Sequence, residues 1–279
     1  MKSFMQISFL VFFLFSLTEI QGQYVAVPTA PGKLTTVEKS YTDGVIDGYT
    51  VYVPKSYGKP QTTYPIILFL HGGLGVGGEV AVVNEQPLPQ LLLIEPDPQS
   101  ERDQYLRDSF IIISPHLTEG SFRDRQFYNQ APAIRQMLGE ILKAYRADPN
   151  RVYVTGLSRG GHGTWGLASR MNDFFAAAVP ICGALHGVDD PSTLKEMPIW
   201  TIHNTGDELV DYNGTVKAVA EIEKQSGKKF LRLSSTDIAD EPYLENTRIF
   251  TSFQRDGHDA WTDVYENVEV YKWLLRQKR

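Results

Sequence analysis

The stretch RVYVTGLSRGGHGTW, residues 151–165, joins a strand-like apolar run to a glycine-rich segment that is predicted to begin a helix. Its centre, GLSRG at residues 156–160, matches the pattern G-x-S-x-G, in which a sharp turn presents a serine hydroxyl at the end of a sheet. Side chains at Gly156 and Gly160 would collide with the neighbouring strand and helix, so glycine is expected at both. The pattern therefore predicts Ser158 as a nucleophile. The alternative is a serine that only caps the helix.

A serine hydroxyl is a weak nucleophile unless a base accepts its proton. In proteins with this turn the partners follow in the order Ser, Asp or Glu, His. His258 is the predicted base, because it lies in RDGHDAWTDVY, between the last predicted strand and the last predicted helix. Three other histidines follow Ser158. They are His162, predicted to pack or to lie at a rim, His186, which precedes the candidate acid, and His203, predicted to end a strand.

The acid is expected in the loop after the preceding strand, MPIWTIH. Asp207 lies there, four residues beyond that strand as predicted, and it would hold His258 in one tautomer and stabilise its protonated form. Asp211 and Glu208 are close alternatives.

Catalysis by a serine also needs donors for the negative charge that develops on the substrate oxygen. One is predicted to be the backbone N–H of Arg159, directly after the serine. The other is expected in the loop after ILFLHGG, where glycine lets the backbone approach the substrate. Gly73 is the predicted donor, and Leu74 is the near alternative.

Apolar strand-like runs alternate with helical patterns along the chain. The runs are TYPIILFLHGG, FIIISP, RVYVTG, FAAAVPIC, MPIWTIH and TRIFTSF. This alternation predicts an α/β protein with a mostly parallel central sheet and helices on both faces. Two earlier β-like segments, GKLTTVEKSY and GYTVYVP, are separated by turn residues and predict an N-terminal antiparallel hairpin.

The helical patterns are clearest at residues 134–145 and 261–275 and weaker at 215–225. The proline in ADPN is predicted to stop the first of these helices. Residues 75–107 and 226–245 are predicted to be loops, and we expect them to set specificity.

The first 22 residues differ from the rest of the chain. Lys2 precedes the apolar run ISFLVFFLFSL, and Gly22 offers a small residue for cleavage. This is typical of a secretory signal peptide, residues 1–22, because the run is too short to span a bilayer. Residues 23–279 are then predicted to form a single domain that is secreted or periplasmic, without a stable membrane anchor.

Several other functions are disfavoured. The net charge of −6 argues against a nucleic-acid partner. The run GGLGVGG lacks the Gly-Lys-Ser/Thr ending of a phosphate-binding loop, and the histidines are scattered, so neither a cofactor nor a metal is predicted. Cys182 is the one cysteine in the sequence, which leaves no internal disulfide, and it is predicted to be a buried apolar residue.

Taken together, the motifs resemble those of known hydrolases. They are ILFLHGG, DPNRVYVTGLSRGGHGTWGLA, FAAAVPICGA, PIWTIHNTGDELV and GHDAWTDVYENVEVYKWLL. They resemble the secreted α/β-hydrolases of the polyhydroxybutyrate-depolymerase, feruloyl-esterase and phospholipase/carboxylesterase type, in particular the branch labelled "predicted peptidase", over residues 41–275. The resemblance implies Ser158, Asp207 and His258 as the triad. Asn204 stands where that group usually has glycine, and Asp211 stands where proline is frequent.

The resemblance implies a serine carboxylesterase that forms an acyl-enzyme, on a small-molecule or polysaccharide-linked ester such as a feruloyl or acetyl ester. Two alternatives stay open: a serine peptidase of the prolyl-oligopeptidase type acting on short peptides, and a non-catalytic module that binds carbohydrate or a partner. Trp165, Trp261 and Tyr128 are candidates for an aromatic acyl pocket, although aromatic residues at such spacing are more often core.

Overall fold

The computed structural model describes residues 29–41, 45–59, 62–120, 125–234 and 245–279. The predicted signal peptide, residues 1–22, lies outside these ranges. None of the helices within them combines the length and apolarity needed to cross a bilayer.

Nearly all the predicted strands join one sheet. The strands are β1 (Leu34–Tyr41), β2 (Ile46–Tyr52), β3 (Tyr64–Leu70), β4 (Ile111–Leu117), β5 (Ala147–Leu157), β6 (Ala177–Ile181), β7 (Ile199–Gly206), β8 (Leu231–Ser234) and β9 (Arg248–Asp256). Their order is β1-β2-β4-β3-β5-β6-β7-β9-β8. β1 pairs with β2 and β2 with β4 in antiparallel fashion, and every other pair is parallel. The predicted N-terminal hairpin and mostly parallel sheet are confirmed.

Helices cover both faces of this sheet. They are α1 (Pro87–Leu93), α2 (Glu101–Ser109), α3 (Ala131–Ala144), α4 (Arg159–Arg170), α5 (Tyr212–Ser226), α6 (Trp261–Glu266) and α7 (Val268–Arg276). The apolar faces of α3, α4 and α5 pack in one buried cluster. Those of α1, α2, α6 and α7 pack in a second cluster on the opposite face. Successive strand residues point to opposite faces, so each central strand contributes to both clusters, and every residue of β3 is buried.

The structure differs from the sequence-based prediction at four places. The predicted loop 75–107 contains α1 and most of α2, and the predicted loop 226–245 contains β8. The predicted C-terminal helix is two helices, because the Asn267 side chain accepts the Glu269 N–H and caps a new start. ADPN belongs to β5 rather than to a helix stop. The pairing of β5 with β3 is irregular there, which is where a strand tolerates proline.

Candidate active site

Ser158 lies in a tight turn between β5 and α4. Its φ of 54° and ψ of −115° are unusual for a residue with a side chain and mark backbone strain. The flanking glycines explain how the chain turns so closely. A Cβ on Gly160 would lie 1.9 Å from the Leu70 carbonyl oxygen, and one on Gly156 would lie 2.6 Å from the same oxygen. The turn therefore presents Ser158 at the end of the sheet where the parallel strands finish.

Cys182, directly after β6, contacts this turn. The Ser158 N–H lies 3.1 Å from the Ile181 carbonyl oxygen and 3.3 Å from the Cys182 Sγ. Cys182 is fully buried, as predicted, and burial raises the pKa of its thiol. Its Sγ, an Asp207 oxygen and a His258 ring nitrogen all lie within 4.8 Å of one another. The folded sheet thus brings the serine turn, the acid and the imidazole together.

Cys182, Asp207 and His258 are residue types that can bind a metal ion, but the protonation of Cys182 and the hydrogen bonds of Asp207 suit a metal ion poorly. A thiol binds metals as the thiolate, and burial of Cys182 disfavours that form. The Asp207 oxygens are already engaged by several hydrogen-bond donors.

Asp207 follows β7 and contacts His258. His258 Nδ1 lies 2.6 Å from Asp207 Oδ2, and the backbone N–H groups of Leu209 and Val210 each donate to Oδ1 over 2.9 Å. The Asp207 side chain is fully buried. Burial raises its pKa, but the donors from Val210, His258 and Leu209 outweigh this, and the pKa is lowered overall. Asp207 is therefore a carboxylate, and the proton between it and His258 belongs to Nδ1.

Asp211 and Glu208, the other two candidates for the acid, do not contact His258 among the described hydrogen bonds and ion pairs. The Asp211 side chain accepts the Asn213 N–H and caps α5. Contact with the imidazole is thus made by Asp207.

His203, which was predicted only to end a strand, is a second partner of Asp207. Its Nε2 lies 3.0 Å from Asp207 Oδ2 and 3.1 Å from the Val210 carbonyl oxygen. Both neighbours are acceptors, so Nε2 carries a proton and donates it. Burial lowers the pKa of His203, which favours the neutral ring. No local pattern predicts this contact, because a four-residue spacing brings side chains together in a helix, whereas His203 lies in β7 and Asp207 in the turn after it.

The loop after β3 faces the serine turn. Gly73–Gly75 forms a short 3-10 turn, and Gly73 and Leu74 line the same cavity as Ser158 and Arg159. Arg159 is the first residue of α4. The Arg159 N–H lies at the N-terminal end of α4, where the helix dipole favours negative charge, and Gly73 is the first residue of the 3-10 turn.

His71 holds that loop in place. Its ring accepts the Leu117 N–H at Nε2 and donates from Nδ1 to the Gly72 carbonyl oxygen, 2.7 Å away. The ring is fully buried, and burial lowers its pKa to about 3, so His71 is neutral at physiological pH.

A cavity of about 1060 Å³ contains Ser158 and His258. Its lining is largely apolar and includes Trp261, whose ring meets the His258 ring edge to face at 5.2 Å. Leu74 and Leu209 also line it, although they are 91% and 78% exposed. Such exposed leucines at a cavity mouth are suited to an apolar part of a ligand.

Polar aromatic rings form another part of the cavity. His162 and His186 stack with ring centroids 4.2 Å apart, and both line the cavity.

Of the three aromatic residues predicted as candidates for an acyl pocket, Trp165 and Tyr128 do not line the cavity. Trp165 is fully buried and donates to the Gly183 carbonyl oxygen, and Tyr128 packs against Gly166 of α4 and against Gly187.

Sequence comparison shows that parts of the chain are similar to two curated proteins. No family model matches the chain. A bifunctional acetylxylan esterase/xylanase of Neocallimastix patriciarum is 28% identical over 152 residues, which is 50% of this chain and 22% of that protein. Poly(3-hydroxyalkanoate) depolymerase C of Paucimonas lemoignei is 44% identical over 85 residues, 26% of this chain and 20% of that protein. The chain thus matches about a fifth of the length of these two relatives.

Solved structures give the fold. A thermostable esterase superposes with a TM-score of 0.62 and 27% identity over 88% of this chain and 63% of that chain. The feruloyl esterase module of Clostridium thermocellum, solved with sinapinate, has a TM-score of 0.62 and 13% identity over 91% of both chains. The chain has the α/β-hydrolase fold, and its resemblance to esterases of that fold is confirmed.

Proposed function

We propose that the chain is a serine carboxylesterase in which Ser158 is the nucleophile, His258 the general base and Asp207 the residue that orients His258. The observation that carries this proposal is the 2.6 Å contact between His258 and a buried Asp207, next to the strained Ser158 turn. Ser158 and His258 line one cavity, as do both proposed oxyanion donors, Gly73 and Arg159.

The proposed cycle has two similar halves. Ser158 Oγ attacks the ester carbonyl carbon while its proton moves to His258 Nε2, and the N–H groups of Gly73 and Arg159 bind the oxyanion. When the tetrahedral intermediate collapses, the C–O bond breaks and His258 returns the proton to the leaving alcohol. Water then attacks the acyl-enzyme with His258 again as base, releasing the acid and restoring the Ser158 hydroxyl.

For the substrate we propose acyl esters on polysaccharides, with feruloyl and acetyl groups as the first candidates. A cavity of about 1060 Å³ has room for an aromatic acyl group, and its apolar mouth at Leu74 and Leu209 suits one. One relative is named an acetylxylan esterase and one structural neighbour was solved with sinapinate. Export through the predicted signal peptide would bring the enzyme to such polymers.

The test is hydrolysis of p-nitrophenyl acetate and methyl ferulate by the wild type and by Ser158→Ala. We expect the variant to lose activity by a factor of about 10⁴ or more, because the nucleophile is gone. Ser192→Ala, a change on a surface turn outside the cavity, should match the wild type. Equal rates for wild type and Ser158→Ala would refute the proposal, and cleavage of short peptides without ester hydrolysis would favour a peptidase.

A further inference from the structure

The backbone on both sides of His258 is attached to one buried side chain. Asn204 Nδ2 donates to the Gly257 carbonyl oxygen over 2.8 Å and to the Asp259 carbonyl oxygen over 3.1 Å. These two residues are the immediate neighbours of His258. Asn204 is fully buried in the last part of β7, so its amide has a fixed location.

Arg255 fixes the orientation of that amide. Arg255 Nε donates to Asn204 Oδ1 over 3.2 Å, and its Nη2 donates to the Asp259 carbonyl oxygen over 2.9 Å. Its Nη1 forms an ion pair with Asp263 on α6, 2.5 Å away. The oxygen of Asn204 is thereby occupied by a donor, which leaves its NH₂ group to face the two carbonyl oxygens.

The loop that carries His258, residues 257–260, needs such an attachment. It begins at Gly257, whose φ of +87° is a conformation that glycine tolerates best, and Gly257 and Asp259 are exposed. Its N-terminal end also donates from the Gly257 N–H to the Gly206 carbonyl oxygen over 3.2 Å. The bond to Asp207 holds one ring nitrogen of His258, but the direction in which the other nitrogen points depends on where the backbone lies.

We propose that Asn204, oriented by Arg255, is a positioning residue that fixes the peptide carbonyls on either side of His258 and so aims the imidazole at Ser158. The inference rests on the proposed function and concerns the same site. Neither Asn204 nor Arg255 belongs to the lining of the cavity, so both act through His258 and not on substrate.

The first test compares Asn204→Leu, which keeps a side chain of similar size without hydrogen bonds, with Asn204→Gly, which removes the side chain. The control is Thr251→Val, which removes the buried acceptor of the Trp200 indole N–H on the apolar side of β9. We expect kcat for p-nitrophenyl acetate to fall about 10- to 100-fold in both Asn204 variants, with KM within twofold of wild type. Thr251→Val should lower the melting temperature without changing kcat.

A second readout does not depend on activity. The His258 Nδ1 proton shared with Asp207 over 2.6 Å should give a strongly downfield proton NMR resonance in the wild type and in Thr251→Val. The signal should broaden or disappear in the Asn204 variants. Folded Asn204 variants with wild-type kcat and an unchanged resonance would overturn the inference.

Arg255→Gln provides a variant that keeps Asn204 and replaces a partly exposed side chain. It removes the donors to Asn204 Oδ1 and to the Asp259 carbonyl oxygen, and we expect a several-fold loss of kcat with unchanged KM. If Asn204 variants do not fold, an Arg255→Gln protein with wild-type kcat overturns the inference. Failure of the esterase proposal itself would show differently, as a wild type whose ester hydrolysis does not depend on Ser158.

Discussion

Asp207 accepts four hydrogen bonds, two from backbone N–H groups and two from imidazole rings. This number of donors explains how a fully buried carboxyl keeps a lowered pKa. Among single residues, the sequence was informative about those that belong to motifs with a fixed chain order. These residues are Ser158, Asp207 and His258, and they lie together in the structure. The sequence was uninformative about Asn204, because its partners at 257 and 259 are more than 50 positions away and no local pattern connects them.

Separate replacement of Asp207 and Asp211 by asparagine tests whether Asp207 is the acid that orients His258. Asp207→Asn should lower kcat by about 10⁴, because an amide does not hold His258 in the tautomer needed to accept the serine proton. Asp211→Asn should cost a few-fold at most, since asparagine also caps a helix well and α5 keeps its start. The measurement is steady-state hydrolysis of p-nitrophenyl acetate. A larger loss in Asp211→Asn than in Asp207→Asn would contradict the assignment.

At the scale of elements, the strand-turn-helix unit of β5, Ser158 and α4 could be read directly from the sequence. Its signals are local: an apolar run, glycines at fixed offsets and a serine between them. The elements that were missed are short or carry weak patterns. α1 has seven residues, two of them proline, and β8 has four residues at the edge of the sheet. α1 buries Leu88, Leu91 and Leu92 in the second apolar cluster, and β8 pairs with β9, so both depend on contacts with distant residues that their own short patterns do not reveal.

Two glycine-to-alanine substitutions test the packing of this turn. Gly160→Ala should destabilise the protein by several kcal/mol or prevent folding, because its Cβ would lie 1.9 Å from the backbone oxygen of Leu70. Gly139→Ala, inside α3 with open space around it, should stabilise by about 0.5–1 kcal/mol. Urea unfolding monitored by circular dichroism gives both values. Equal stability of the two variants would contradict the close approach of β3 and α4.

At the scale of the whole molecule, the parallel strands bring together residues that are distant in the chain. Ser158 follows β5, Asp207 follows β7 and His258 follows β9, so all three lie at the same edge of the sheet. The alternation of strands and helices was sufficient to predict this arrangement. The specificity of the cavity was not predictable, because its mouth combines Leu74 and Leu209 from loops on separate strands.

Acidification should destabilise the folded protein through buried neutral histidines. Burial lowers the pKa of His162 from 6.5 to about 4, so between these values the unfolded chain binds a proton that the folded protein does not. The stability is present above pH 6.5 and is lost as the pH falls toward 4. For His162 the loss between pH 7 and pH 5 is about 2 kcal/mol.

The check is urea unfolding at pH 7 and at pH 5 for the wild type and for His162→Gln. The variant lacks one titrating group, so its loss of unfolding free energy over this interval should be about 2 kcal/mol smaller than that of the wild type. An identical loss in both proteins would show that His162 titrates in the folded state as it does in the unfolded chain.

Covalent labelling measures whether Ser158 is an activated nucleophile. The protein is treated with a fluorophosphonate, digested and examined by mass spectrometry, alongside Ser158→Ala and Asp207→Asn. We predict one adduct, on the peptide that contains Ser158, with none in Ser158→Ala and much slower labelling in Asp207→Asn. An unlabelled wild type, or a label on a different residue that persists in Ser158→Ala, would show that Ser158 is not the nucleophile.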